Sequence, residues 1–227
     1  MNIPADAKSR LRWGIVFPLI GIALIWAVHL LELVWQTEWN RWGVMPRTFE
    51  GLRGIITMPF LHGDLSHLTS NSTALFVLGF VMINLYPKTT PRVLLAVWLL
   101  GGLVLWIIGR QNYHIGASGI VYGMAAYLFF MGLLRWEPRS MAVALFVAFL
   151  YGSLVWGLFP IWTKTSWEGH LAGALTGTLA AFLFWNREPL DRPPDDHHDE
   201  ETDLPYWMYE EEGGLKRRDL PPSTDVS

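Results

Sequence analysis

A chain of 227 residues that is 52% hydrophobic, only 16% charged and carries 13 tryptophans is too apolar for an ordinary soluble domain. Its formal charge of −3 conceals an uneven spread, since much of the acid lies beyond residue 187. The absence of cysteine excludes disulfide frameworks, thiolate catalysis and Cys-ligated metals.

A membrane span needs about 20 mostly apolar residues, and six segments qualify: 13–35, 67–86, 91–109, 116–134, 140–159 and 167–186. Their apolar residues run on without alternation, and Ala, Leu and Gly are plentiful, which predicts helices and not strands. Buried helices of a soluble bundle would need polar stripes that these segments lack. The polar stretch 1–12 leads straight into the first apolar run. That run is longer than a signal-peptide core and has no small-residue cleavage site, so a retained first span is expected. The connection 36–66 contains "FEGLRGIITMPFLHGDLSH", amphipathic but broken by Gly and Pro and too short to span. It predicts an interfacial or re-entrant element. After Trp185 the composition turns charged and proline-rich, and 187–227 is expected to be a disordered cytosolic tail. His197 and His198 fall in that tail, where solvation is a better reading than metal binding. No internal repeat and no phosphate-binding glycine loop is present.

Positive charge orients the bundle. With the N-terminus inside, the inner segments hold Lys8, Arg10, Arg12, Lys88, Arg92, Arg135, Arg139, Arg187 and Arg192, nearly all in short connections. The outer ones hold Arg41, Arg47, Arg53, Arg110 and Lys164. Both termini are therefore expected in the cytosol, in a cell membrane crossed six times.

Ionisable and polar groups inside spans are costly and default to functional candidates. Ser118 in "HIGASGIVYG", His170 in "WEGHLAGALTG", and His67 with Asn71 in "HLTSN" all lie near the outer ends of descending spans. Three distant stretches thus place polar groups at one depth. His67 and Asn71 share a helix face at i, i+4, as do Ser118 and Tyr122. Gly119 and Gly123 form a small-residue strip on the fourth span, and His170, Gly173 and Gly177 fall on one face of the sixth. Such strips let two membrane helices approach closely. Taken singly, each feature has a bland reading: GxSG as a packing face, a lone histidine as a structural donor, the His/Asn pair as interhelical glue. The motif is also not the hydrolase elbow GxSxG, because position 120 is Ile. His29 with Glu32, and His114, read as structural.

In combination, "HGDLSHLTSN", "GASGIVYG" and "GHLAGALTG" resemble the rhomboid intramembrane serine proteases over about residues 35–186. The resemblance implies a six-span all-α bundle with a partly embedded first outer loop. It implies Ser118 as nucleophile, His170 as its base, His67 and Asn71 lining the oxyanion hole, and Tyr122 packed against the catalytic histidine. Gly116, Gly119 and Gly173 would support the site. The family's first-loop Trp-Arg pair stands here as Leu52-Arg53, and its acidic residue four after the second-span glycine as Ile83 after Gly79. The implied activity is a serine endopeptidase without cofactor, with Tyr122 orienting the base and no acid as third member. Expected partners are single- or multi-span membrane protein substrates and the lipid bilayer, with no nucleic acid. Two rivals are a non-enzymatic relative that binds membrane clients and a metal enzyme using His62, His67, His114 and His170. The second lacks an HExxH motif and a carboxylate at suitable depth.

Overall fold

The computed structural model describes residues 7–37, 39–161 and 165–187. The expected tail beyond Arg187, with His197 and His198, and the first six residues lie outside the described residues. Among those described there are seven α-helices: α1 Ala7–Trp35, α2 Phe49–Thr57, α3 Leu65–Leu85, α4 Thr90–Ile108, α5 Ser118–Arg135, α6 Pro138–Tyr151 and α7 Trp167–Phe184.

Five of the helical stretches, α1, α3, α4, α5 and Pro138–Leu158, are long and apolar enough to cross a membrane. The protein is a multi-pass helical membrane bundle. Helix α7 matches the expected sixth span but is not among those five, because Glu168 and His170 lower the hydropathy of its first turn. Nine of its 18 residues are buried by its neighbours, and Leu175, Leu179, Phe182 and Leu183 form the exposed apolar stripe. A helix wrapped in protein needs an apolar surface only where it meets lipid.

Several boundaries move for local reasons. Helix α1 begins at Ala7, so part of the polar lead-in is already helical. The expected fourth span starts at 116, but α5 begins at Ser118, because Gly116 takes φ +106° and cannot belong to an α-helix. The expected fifth span, 140–159, is α-helical only to Tyr151 and continues as 3-10 turns over Gly152–Leu158. Caps explain two starts: Asp64 accepts from the His67 N–H at 2.8 Å at the head of α3, and Thr48 accepts from Gly51 at 3.0 Å at the head of α2.

The first connection is a built element. Helix α2 and a 3-10 turn over Met58–Phe60 lie against α4, where Trp98 and Trp106 donate their indole N–H groups to the Ile55 and Thr48 carbonyls, each at 2.9 Å. Arg53 stacks its guanidinium 4.4 Å over the Trp42 ring, so a tryptophan outside the Leu52-Arg53 pair supplies its aromatic partner. On α3, Ile83 is fully buried in the core.

Helix α5 occupies the centre, packed by α3, α4, α6 and α7. Its seam with α7 is the tightest: a Cβ on Gly173 would overlap the Gly119 carbonyl, and one on Gly177 the Gly123 carbonyl. Lipid gives no hydrophobic drive for helices to associate, so backbone-to-backbone packing carries this contact.

Candidate active site

Helices α3, α5 and α7 start at the same end of the bundle, and each brings polar side chains in its first turns. Ser118 is the first residue of α5, and His170 lies in the first turn of α7. The His170 Nε2 stands 2.9 Å from the Ser118 Oγ. On the opposite side of the ring, Nδ1 stands 3.0 Å from the Gly157 carbonyl oxygen. A carbonyl can only accept, so Nδ1 carries the proton in the neutral ring and Nε2 presents its lone pair to the serine hydroxyl. This is the tautomer a general base requires. Tyr122 stacks face to face on the imidazole, with ring centroids 4.0 Å apart and planes 8° from parallel.

These contacts refine the expected source of orientation. Tyr122 fixes the plane of the ring, whereas the Gly157 carbonyl fixes its rotation and tautomer. Gly157 belongs to the 3-10 segment after α6, and a Cβ there would overlap the Tyr122 hydroxyl. Nothing in the sequence marks Gly157 for this role, because the contact is made by its backbone carbonyl.

On the other side of Ser118, Asn71 is buried in α3 and His67 is half-buried one turn before it. Both face Gly116. A Cβ at that position would lie 2.7 Å from the His67 Nε2 and 3.7 Å from the Asn71 Nδ2. Gly116 therefore has two requirements that only glycine meets, its positive φ and the proximity of these side chains. The Asn71 Nδ2 also lies 3.0 Å from the Nε2 of His62, a residue the sequence singled out only as a possible metal ligand. His62 sits in the loop before α3 with its ring centroid 5.0 Å from that of His67. Burial, and secondarily the neighbouring His67, push its pKa down to about 4. Neutral His62 accepts from the Asn71 amide and so fixes which way that amide points.

A cavity of about 880 Å³ opens onto these groups. His67 and Asn71 from α3, Ser118 and Tyr122 from α5, Tyr151 at the end of α6, and His170 line it. Two further histidines among the described residues stand apart from the dyad, and His114 also lines the cavity. His114 contacts Ser166 and the Arg110 carbonyl. His29 lies 3.9 Å from Glu32, whose carboxylate also accepts from the Trp39 N–H. Among the described residues no three His, Asp or Glu side chains are grouped to hold a metal ion.

Residues 50–187 match the Rhomboid domain, a stretch that contains every side chain placed around Ser118. The chain belongs to the rhomboid family. This rhomboid is 35% identical to an uncharacterised protein of Mycobacterium tuberculosis over 189 residues, 78% of this chain and 79% of the relative. It is 26% identical to a putative rhomboid protein of Acanthamoeba polyphaga mimivirus over 133 residues, 55% of this chain and 71% of that one. The RHOMBOID-like protein 2 of Arabidopsis thaliana is 22% identical over 184 residues, 79% of this chain and 56% of the plant protein.

Proposed function

We propose that this rhomboid is an intramembrane serine endopeptidase acting through a Ser118–His170 dyad. The observation that carries the reading is the 2.9 Å contact from Ser118 to a histidine whose other nitrogen is held by a carbonyl. His114 and Ser166 are wired in the same way, and what distinguishes Ser118 is that His67 and Asn71 converge on Gly116 beside it.

The chemistry follows from the groups. Ser118 Oγ attacks the scissile carbonyl carbon as its proton passes to His170 Nε2. The new oxyanion meets the Ser118 N–H, which as the first of α5 has no carbonyl one turn back to bond. His67 and Asn71 converge on the same side through Gly116 and supply side-chain donors. His170 then returns its proton to the departing amine, the C–N bond breaks, and an acyl-enzyme remains. Water from the cavity, deprotonated by the same nitrogen, attacks the ester and frees the carboxylate and Ser118. A general base of this kind contributes about 10²–10⁴ in rate, and each oxyanion donor about 10²–10³.

Substrates in this reading are membrane proteins cut where small or helix-breaking residues loosen a span. A carbonyl locked in an intact helix is hydrogen-bonded and shielded, so the chain must be locally extended to reach Ser118. The arginine and lysine bias supports cytosolic termini, which puts the site in the outer leaflet. The test is labelling by a fluorophosphonate serine probe in detergent. Wild type should label, and Ser118→Ala and His170→Ala should not, while both remain folded and cleave no single-span substrate.

A further inference from the structure

Two buried polar residues beside the site take no part in that chemistry: Glu168 and His114, each 3% exposed. Glu168 lies in the first turn of α7, two residues before His170. A carboxylate thus does stand at the depth of the site, contrary to the sequence expectation, although no three metal-ligating side chains are grouped among the described residues. Its Oε1 is 3.4 Å from the Arg110 Nε, and Arg110 also donates to the Thr165 carbonyl at 2.5 Å. His114 presents Nε2 to the Arg110 carbonyl at 3.0 Å, which puts the proton on that nitrogen. Its Nδ1 then accepts from the Ser166 hydroxyl at 2.6 Å. Burial pushes the His114 pKa below the ordinary value, so the neutral ring persists near pH 7.

The backbone holds the same loop from the far side. His114 exchanges both main-chain hydrogen bonds with Val44, at 2.8 and 2.9 Å, and the Gly116 N–H donates to the Met58 carbonyl at 2.8 Å. The segment 110–116 delivers Ser118, and the segment 165–168 delivers His170. Three side-chain links join them: the Arg110–Glu168 ion pair, the Arg110 guanidinium on the Thr165 carbonyl, and the neutral His114–Ser166 bond. The glycine seam between α5 and α7 sets how near the helices run. Links between the two first turns act on a different coordinate, where along the axis those turns stop opposite each other.

We propose that Arg110–Glu168 and His114–Ser166 form a clasp that sets the axial register of α7 against α5, and so the Ser118–His170 contact. Glu168, Arg110, His114 and Ser166 are positioning residues. The proposal rests on the protease reading of the dyad.

The test compares Ser166→Ala, Arg110→Gln, their double variant and Arg110→Lys in the full-length protein. The readouts are the fluorophosphonate labelling rate at Ser118, kcat and KM on a single-span substrate, and thermal unfolding. Each single variant should lower labelling and kcat about tenfold with KM and Tm near wild type. The double variant should approach the ~10²-fold loss of a ~1 Å misplacement. Arg110→Lys, which keeps the charge against Glu168, should stay within about threefold of wild type. Folded variants that label at the wild-type rate would overturn the clasp alone, as would losses fully explained by a lowered folded fraction. A wild type that does not label at Ser118 would sink the protease reading and the clasp with it.

Discussion

Adding a single methyl group to Gly173 puts the geometry of the dyad under a direct test. The new Cβ would overlap the Gly119 carbonyl oxygen and come within 2.8 Å of its carbon and 3.1 Å of the Gly119 Cα. Carbon atoms rest at about 3.5–4.0 Å, so α7 must withdraw from α5 by roughly 1 Å. No flexible side chain can yield instead, because the obstacle is backbone. His170 rides on the retreating helix three residues earlier and Ser118 is adjacent to Gly119. A misplacement of ~1 Å can cost about 10²-fold in rate, or roughly 3 kcal/mol on the barrier. Purified Gly173→Ala should therefore lose about two orders of magnitude in kcat/KM and in probe labelling while remaining helical. Gly21→Ala is the control, since a Cβ there meets nothing within 4 Å. It removes the helix penalty of glycine, about 1 kcal/mol, without touching the seam. Wild-type cleavage by folded Gly173→Ala would refute the claim that the seam sets the reacting distance.

Asn71→Ala should label with the serine probe yet turn over about 10²–10³ more slowly, with KM little changed; equal losses in labelling and turnover would place Asn71 in dyad alignment instead. His62 is neutral and buried with a pKa near 4, against 6.5 when unfolded. A depressed histidine contributes its stability in full above pH 6.5 and loses it as pH falls toward 4, about 3 kcal/mol in all. Wild type should thus lose more Tm than His62→Gln between pH 7 and pH 4, and parallel curves would contradict the assignment. Reporter fusions after Leu190 should be active only in the cytosol if the charge bias sets the orientation; external activity would invert the bundle.

Much of this architecture was legible in the sequence because its causes are local. Apolar length over about 20 residues dictates where a helix can cross, and the 3.6-residue period puts Gly119 with Gly123 and Gly173 with Gly177 on single faces. The convergence of Ser118 and His170 could be anticipated because spans of similar length, alternating in direction, bring the heads of α3, α5 and α7 to one depth. The end of α6 was not legible: the apolar run continues to Phe159, but α-helix gives way to 3-10 turns after Tyr151. Hydropathy reports which residues tolerate lipid, not which hydrogen-bond ladder they close.

The sequence by itself determined where the long apolar helical stretches lie, the small-residue faces and the set of polar residues near one end of the bundle. Tertiary structure alone decided how those residues are wired. The carbonyl of Gly157 selects the His170 tautomer, yet a backbone carbonyl is common to every residue and has no mark in a sequence. His62 gains its role by lying 3.0 Å from Asn71, nine residues on. Arg110 meets Glu168 and His114 meets Ser166 across more than fifty residues of chain. Such pairings depend on the paths of loops and on the rotation of each helix about its axis. Those are set by packing of the whole bundle, not by the composition of any one segment.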